Sequence, residues 1–297
     1  PLVGFLMVLF CVGATIDFFR RPKSYKRFEE VKFTKNHREE EFESELKLNI
    51  KKYLLMYGRI GDDLPRHNLP KAQALDYATV SLELLGPGLE SAESVLVLGG
   101  AALTLPVAFV RRHPGLAVEV VEIDASVTEL AREYFAVGGL PDTAVRVVHD
   151  DARVFLRGSS RHYDLVYLDV FDHLLTVPWT LVTREAFQAL AERLTADGVF
   201  AANVLSPLVG PGAAFMHRLQ ATLETVFDEV RVHRVDPDAD PRTTQNLIVT
   251  AGSAQSLIPD DGERVVDVLA RGRPFSDAWA PVEYLQARVF VQGLGWN

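Results

Sequence analysis

Two aspartates, Asp169 and Asp172, stand three residues apart in "YDLVYLDVFDHL", directly after a nearly unbroken apolar run. An alkylammonium group has a pKa of about 10 and cannot attack while protonated, so paired carboxylates in a partly desolvated pocket suit holding and deprotonating an amine. Three further groups lie upstream. Gly99 and Gly100 end "SVLVLGG", where glycine lets a backbone come close to a ligand. Glu122, in "VVEIDAS", follows a little over twenty residues later, the place from which a strand-end carboxylate accepts ribose hydroxyls. Helix capping accounts for Asp124 or Ser126 nearby but leaves Glu122, between Val121 and Ile123, without a purpose. In "VVHDDARVFL", one of Asp150 and Asp151 suits a helix cap, and the other can accept a hydrogen bond from an exocyclic amine beside the Ala152 N–H. Glycine turn, ribose acid and base-edge acid occur in the order an adenosine requires.

These residues need a scaffold that brings strand ends together. Seven strand-like runs, "SVLVLG", "AVEVVEI", "AVRVVH", "YDLVYLD", "GVFAANV", "EVRVHRV" and "NLIVTA", follow residue 73. Segments with helical spacing, such as "DASVTELAREYFAV", "TREAFQALAERLTA" and "AAFMHRLQATLETVF", separate most of them. Nearly continuous apolar strands alternating with helices predict a parallel sheet covered on both faces. The last two runs lack a long intervening helix, which predicts an antiparallel pair at the edge. The expectation is a doubly wound α/β domain of the seven-stranded, methyltransferase-like (Rossmann-like) type, with ligands at the carboxyl ends of its strands.

Composition narrows the partners. The chain has 297 residues, 48% of them hydrophobic, and a net charge of −9, so general nucleic-acid binding, which needs clustered Lys and Arg, is not expected. Cys11 stands alone and the histidines show no ligand spacing, so neither a disulfide framework nor a metal site is expected. Every lysine lies at or before Lys71, which marks a boundary near residues 65 to 75.

Four regions are expected: an apolar segment over 1–19, a charged, β-rich module over 20–72, a nucleoside-binding catalytic domain over 73–256, and a helical tail over 257–297 read as helix, loop and helix. The uncharged run Leu2–Ile16, followed by Arg20, Arg21, Lys23, Lys26 and Arg27, reads as the remnant of a membrane helix with its basic flank on the cytoplasmic side. A buried helix is the plainer reading.

At its four strand ends, from about Asp76 to about Ala251, the chain resembles the polyamine aminopropyltransferases, or spermidine synthases. With "SDAWAPVEYL" it is similar to bacterial members fused to a membrane transporter-type region. The resemblance implies transfer of an aminopropyl group from decarboxylated S-adenosylmethionine to an amine, as in polyamine biosynthesis. It implies Gly99 and Gly100 lining the donor, Glu122 on its ribose, and Asp151 with Ala152 at its adenine. It further implies Asp169 as the base, Asp172 holding the acceptor, and Tyr77 in "LDYATV" lining the acceptor site. The sequence departs from the family pattern at Ala102, where an aspartate is usual, at Ala78 and Thr79, where the Tyr-His-Glu segment continues, and in "DVFDHLLTVPW", which replaces an Asp-Ser-Ser-Asp-Pro loop. The expected partners are a small amine and a sulfonium nucleoside, with a homodimer and membrane attachment left open.

Two other readings stand beside this one. An S-adenosylmethionine-dependent methyltransferase shares the nucleoside acids and suits Ala102, since an intact methionine carboxylate would avoid an acid there. A non-catalytic nucleoside or polyamine sensor attached to a membrane protein would bind without forming product. A nicotinamide dehydrogenase fits less well, because residues 99–104 lack the Gly-x-Gly-x-x-Gly pattern.

Overall fold

The computed structural model describes residues 73–134, 144–171, 176–254, 256 and 262–293. The apolar segment and the β-rich module expected over 1–72 lie outside the described residues, as does Asp172.

The described chain runs α1 (Gln73–Leu89), β1 (Ser94–Leu98), α2 (Thr104–Arg112), β2 (Ala117–Glu122), α3 (Ala125–Tyr134), β3 (Val145–His149), α4 (Ala152–Gly158) and β4 (Tyr163–Leu168). It continues with α5 (Arg184–Ala191), β5 (Leu194–Ser206), α6 (Ala214–Leu223), β6 (Glu229–Arg234), β7 (Gln245–Gly252), β8 (Val265–Val266) and α7 (Val282–Gly293). The strands form one sheet in the order β3-β2-β1-β4-β5-β7-β6-β8. Strands β1 to β5 are parallel, whereas β7 runs antiparallel to both β5 and β6. The direction of winding reverses between β1 and β4, so the carboxyl ends of those strands open the crevice in which such sheets bind ligands.

Each of the seven apolar runs forms a strand. The count nevertheless needs correction: among the described residues there are eight, because Val265–Val266 pairs with His233 and Val232 of β6. This two-residue strand falls where the tail was expected to begin with a helix, while the later helix is present as α7. Two paired residues are too short for period-2 patterning to register, and the strand exists because β6 offers it an edge.

Strand β1 shows how the sequence dictates the layers. Val95, Leu96, Val97 and Leu98 are all at most 1% exposed, as a central strand covered on both faces requires. Leu96 and Leu98 pack with Leu156, Phe187 and Phe215 from α4, α5 and α6. Val95 and Val97, on the opposite face, pack with Leu82 and Leu85 of α1 and Phe109 of α2.

The amino end of β4 is fastened to β1 by a side chain. Asp164 accepts hydrogen bonds from the Glu93 N–H at 2.9 Å and the Ser94 N–H at 3.0 Å, and from the Thr195 hydroxyl at 3.0 Å. Burial pushes this carboxyl up, but the hydrogen bonds outweigh it and hold it below the ordinary 3.8. A depressed folded-state pKa gives stability that is present above the unfolded value and lost as pH falls through the folded one. Asp164→Asn is therefore expected to lower stability at neutral pH and to narrow its gap from the unsubstituted protein below about pH 4, read by urea unfolding across pH. A gap that stays constant into acid would show that the carboxylate charge plays no part.

Candidate active site

The carboxyl ends of β1 to β4 are bound to one another through the backbone. The Gly99 N–H donates to Val121 O at 2.8 Å, the Asp150 N–H to Glu122 O at 3.2 Å, and the Asp169 N–H to Leu98 O at 2.9 Å. Gly99, Glu122, Asp150, Asp151 and Asp169 thus share one edge of the sheet.

The turn after β1 requires its first glycine. Gly99 has φ +97°, and a Cβ there would lie 2.3 Å from the Asp169 carbonyl oxygen, so close packing of β4 excludes any side chain. The chain keeps turning through left-handed geometry without further glycine, at Ala101 (φ 40°) and Leu103 (φ 56°). Such conformations cost on the order of 1 kcal/mol each for residues bearing a Cβ. Glu122 supplies a compensating hold: its Oε2 accepts from the Gly100 N–H at 2.9 Å and the Ala101 N–H at 3.1 Å, and its Oε1 from the Asp124 N–H at 3.0 Å. Glu122 is therefore a carboxyl group fixed in place by three backbone donors, with acceptor capacity remaining on Oε1. Asp124 fills the capping role expected for it, accepting from the Ser126 N–H at 2.9 Å.

Asp151 caps α4: its Oδ1 accepts from the Val154 N–H at 2.9 Å. Its other oxygen has no partner among the described residues, so the cap leaves one acceptor facing outward at the end of β3. Asp150 accepts from the Asp151 N–H at 2.8 Å. Ile123, immediately after Glu122, is 72% exposed; a large apolar side chain left open beside a fixed carboxylate gives a planar ring a surface to cover.

The Asp169 carboxylate is held by side chains rather than by the backbone. Tyr77, from α1, donates its hydroxyl to Oδ2 at 2.8 Å, and Asn203, from β5, donates its amide to Oδ1 at 3.1 Å. Asn246 of β7 donates in turn to the Asn203 oxygen at 2.9 Å. Tyr77 is positioned by α1, one turn before Ser81, whose hydroxyl bonds the Tyr77 carbonyl and meets the buried Tyr167 hydroxyl, both at 2.7 Å. Burial pushes the Asp169 carboxyl above 3.8, against the opposing effect of its bonds to Tyr77 and Asn203. Ala78 is buried in the core and Thr79 is exposed.

Asn203 and Asn246 were not expected from the sequence. The available signal was an amide inside the apolar run "GVFAANV" and another at the head of "NLIVTA". Both side chains are buried, and buried amides in strand cores are there for their hydrogen bonds. Among the described residues no three His, Cys, Asp or Glu side chains converge as a metal-binding group.

A polyamine aminopropyltransferase from Vibrio vulnificus (strain CMCP6) is 27% identical over 168 residues, which cover 56% of this chain and 54% of that protein. One from Synechococcus sp. (strain JA-2-3B'a(2-13)) is 32% identical over 146 residues, covering 48% and 46%. The chain thus spans about half the length of these curated relatives. Among solved structures, a probable spermidine synthase from Corynebacterium glutamicum ATCC 13032 superposes with a TM-score of 0.55 at 21% identity, over 69% of this chain and 83% of that one. A spermidine synthase in complex with the transition state analogue AdoDATO gives 0.50 at 19% identity, over 75% and 77%. At those identities the structures speak to the fold. The family model for the spermine/spermidine synthase domain matches residues 84–236, more than half of the chain and every strand from β1 to β6, and on that match the protein belongs to the spermine/spermidine synthase domain family.

Proposed function

We propose that the protein transfers an aminopropyl group from decarboxylated S-adenosylmethionine to an amine, releasing methylthioadenosine. The observation that carries this reading is Asp169: a half-buried carboxylate at the crevice, held on one oxygen by Tyr77 and on the other by Asn203, with its proton affinity raised by burial. A base of raised pKa narrows the gap to an alkylammonium, and its partners fix its direction.

In this reading the donor's ribose hydroxyls bind the free acceptor position of Glu122, its base lies over Ile123, and its exocyclic amine meets Asp151 beside the Ala152 N–H. The acceptor ammonium is drawn to Asp169, with Tyr77 beside it and Asp172 assigned by the family resemblance to holding the acceptor, and gives up its proton to the Asp169 carboxylate. The freed nitrogen lone pair attacks the methylene carbon on the sulfonium. A C–N bond forms, the C–S bond breaks, and its electron pair neutralises the sulfur as a thioether. The sulfonium is itself the activated leaving group, so alignment of the two reactants and the field of the carboxylates carry the rate.

Ala102 favours a second reading, methyl transfer from S-adenosylmethionine, because no carboxylate at that position would repel the methionine tail. Competition separates the two: decarboxylated S-adenosylmethionine is expected to displace bound methylthioadenosine at lower concentration than S-adenosylmethionine does, and the reverse order would favour methyl transfer. In the same assay Glu122→Gln is expected to weaken methylthioadenosine binding about tenfold, the loss of one charge-assisted hydrogen bond. Unchanged binding in a folded variant would remove Glu122 from the site. The apolar run Leu2–Ile16 and its basic flank support membrane attachment with the catalytic domain on the cytoplasmic side, to be tested by whether alkaline carbonate releases the full chain from membranes.

A further inference from the structure

The opposite end of the same strands holds a second constellation that the proposed transfer does not use. At the amino ends of β1 to β4 lies a cavity of about 600 Å³, within the range that takes small organic molecules. Pro114, Ala117 and Ala144 give it an accessible apolar wall, and Glu119, Arg146 and Arg161 give it a charged one.

Glu119 is the unusual member. It sits in the middle of β2 with its side chain only 7% exposed, between residues that are otherwise apolar. Both of its oxygens accept from Arg161 Nη1 at 3.1 Å, Oε1 pairs with Arg146 Nε at 3.3 Å, and Oε2 accepts from the Tyr163 hydroxyl at 2.5 Å. Burying a carboxylate is costly even when it is paired, and an apolar residue at such a position is commonly as stable or more so. What Glu119 does supply is orientation: it fixes two guanidinium groups at the rim of one cavity.

Those two guanidiniums are not used up. The Arg146 and Arg161 side chains are 57% and 53% exposed. Both Nη groups of Arg146, and the Nε and Nη2 of Arg161, have no partner among the described residues. One carboxylate against two arginines leaves a local excess of one positive charge, with His162 also on the wall, in a chain whose net charge is −9. Fixed guanidinium forks match carboxylate and phosphate oxygens, where a flexible ammonium would act only as a point charge.

We propose that this cavity is a second binding site, for a small organic anion carrying one carboxylate or phosphate head and an apolar body of about one ring. The head bonds the free N–H groups of Arg146 and Arg161, and the body lies against Pro114, Ala117 and Ala144.

The test is calorimetric titration of the full chain with benzoate and phenyl phosphate as probes, beside benzyl alcohol and benzylamine, which have a similar body without the negative charge. One of the two anions is expected to saturate one site per chain. Its affinity should be about tenfold or more above that of benzyl alcohol, and unaffected by saturating methylthioadenosine. Arg146→Gln, remote from the catalytic edge and leaving Glu119 its bonds to Arg161 and Tyr163, should weaken that anion about tenfold in a variant that still unfolds cooperatively. Absence of saturable anion binding, equal binding of the neutral probe, competition by methylthioadenosine, or indifference to Arg146→Gln in the folded variant would each overturn the proposal.

Discussion

Asp169→Asn is expected to reduce turnover by about 10²- to 10⁴-fold, the range associated with loss of a positioned general base, while leaving methylthioadenosine binding in place. The substitution preserves shape and both hydrogen bonds: an asparagine oxygen can accept from Asn203, and its amide can donate to the Tyr77 hydroxyl. What it removes is a half-buried negative charge. Because burial raises the Asp169 pKa in the folded protein above 3.8, the folded state binds this proton more tightly than the unfolded state. The group's contribution to stability is then fully present below the unfolded value and lost as pH rises through the folded one. The variant should accordingly match or exceed the original protein in thermal midpoint at neutral pH while losing its chemistry. In the unsubstituted protein, kcat/KM for the amine should rise with pH through the folded pKa of Asp169, as the carboxylate that receives the proton forms. Turnover retained in Asp169→Asn would end its assignment as the base, and a large drop in midpoint would mean that the charge is itself compensated in the folded protein.

The second large effect is expected far from the chemistry. Arg153 of α4 has a side chain only 9% exposed, and it donates to both oxygens of Asp277, at 3.1 and 2.9 Å. Asp277 also accepts from the Thr183 hydroxyl at 2.7 Å and donates its N–H to Glu185 at 3.0 Å, so the tail is clasped to the start of α5. Burial lowers the Arg153 pKa, and the Asp277 charge opposes that. Asp277→Ala leaves a buried guanidinium without its counter-charge, for which a loss of about 3 kcal/mol is expected in urea unfolding. The companion variant Asp277→Ala with Arg153→Met should recover much of that loss, because the penalty comes from the orphaned charge rather than from the missing bond. A double variant as unstable as the sum of the two single ones would refute this account of the clasp. Asp151, the cap of α4, stands two residues before Arg153, so nucleoside affinity is the natural second readout.

The sequence made the sheet legible wherever burial is two-sided. A central strand such as β1 must be apolar at every position, and seven such runs became seven strands. The eighth, Val265–Val266, was invisible because pairing with β6, rather than any local pattern, makes it a strand. Asp169 could be read from the sequence, since a carboxylate ending an apolar run marks the ligand edge of a parallel sheet. Its supports were harder: Tyr77 came through family resemblance, and Asn203 and Asn246 only through the contacts that β5 and β7 make across the sheet. Gly99, expected to let a ligand approach, also makes room within the protein for the Asp169 carbonyl, and Ala101 and Leu103 take left-handed geometry without glycine, the first with its N–H bonded to Glu122.

The central claim is that this edge of the sheet moves an aminopropyl group from sulfur to nitrogen. The most direct measurement is to incubate the full chain with decarboxylated S-adenosylmethionine and a panel of di- and polyamines, then to read all products by mass. Methylthioadenosine and an acceptor heavier by one aminopropyl unit, in equal amounts and dependent on Asp169, is the predicted result. Nucleoside binding with no product from any amine, or S-adenosylhomocysteine and a methylated product when S-adenosylmethionine is supplied instead, would contradict it.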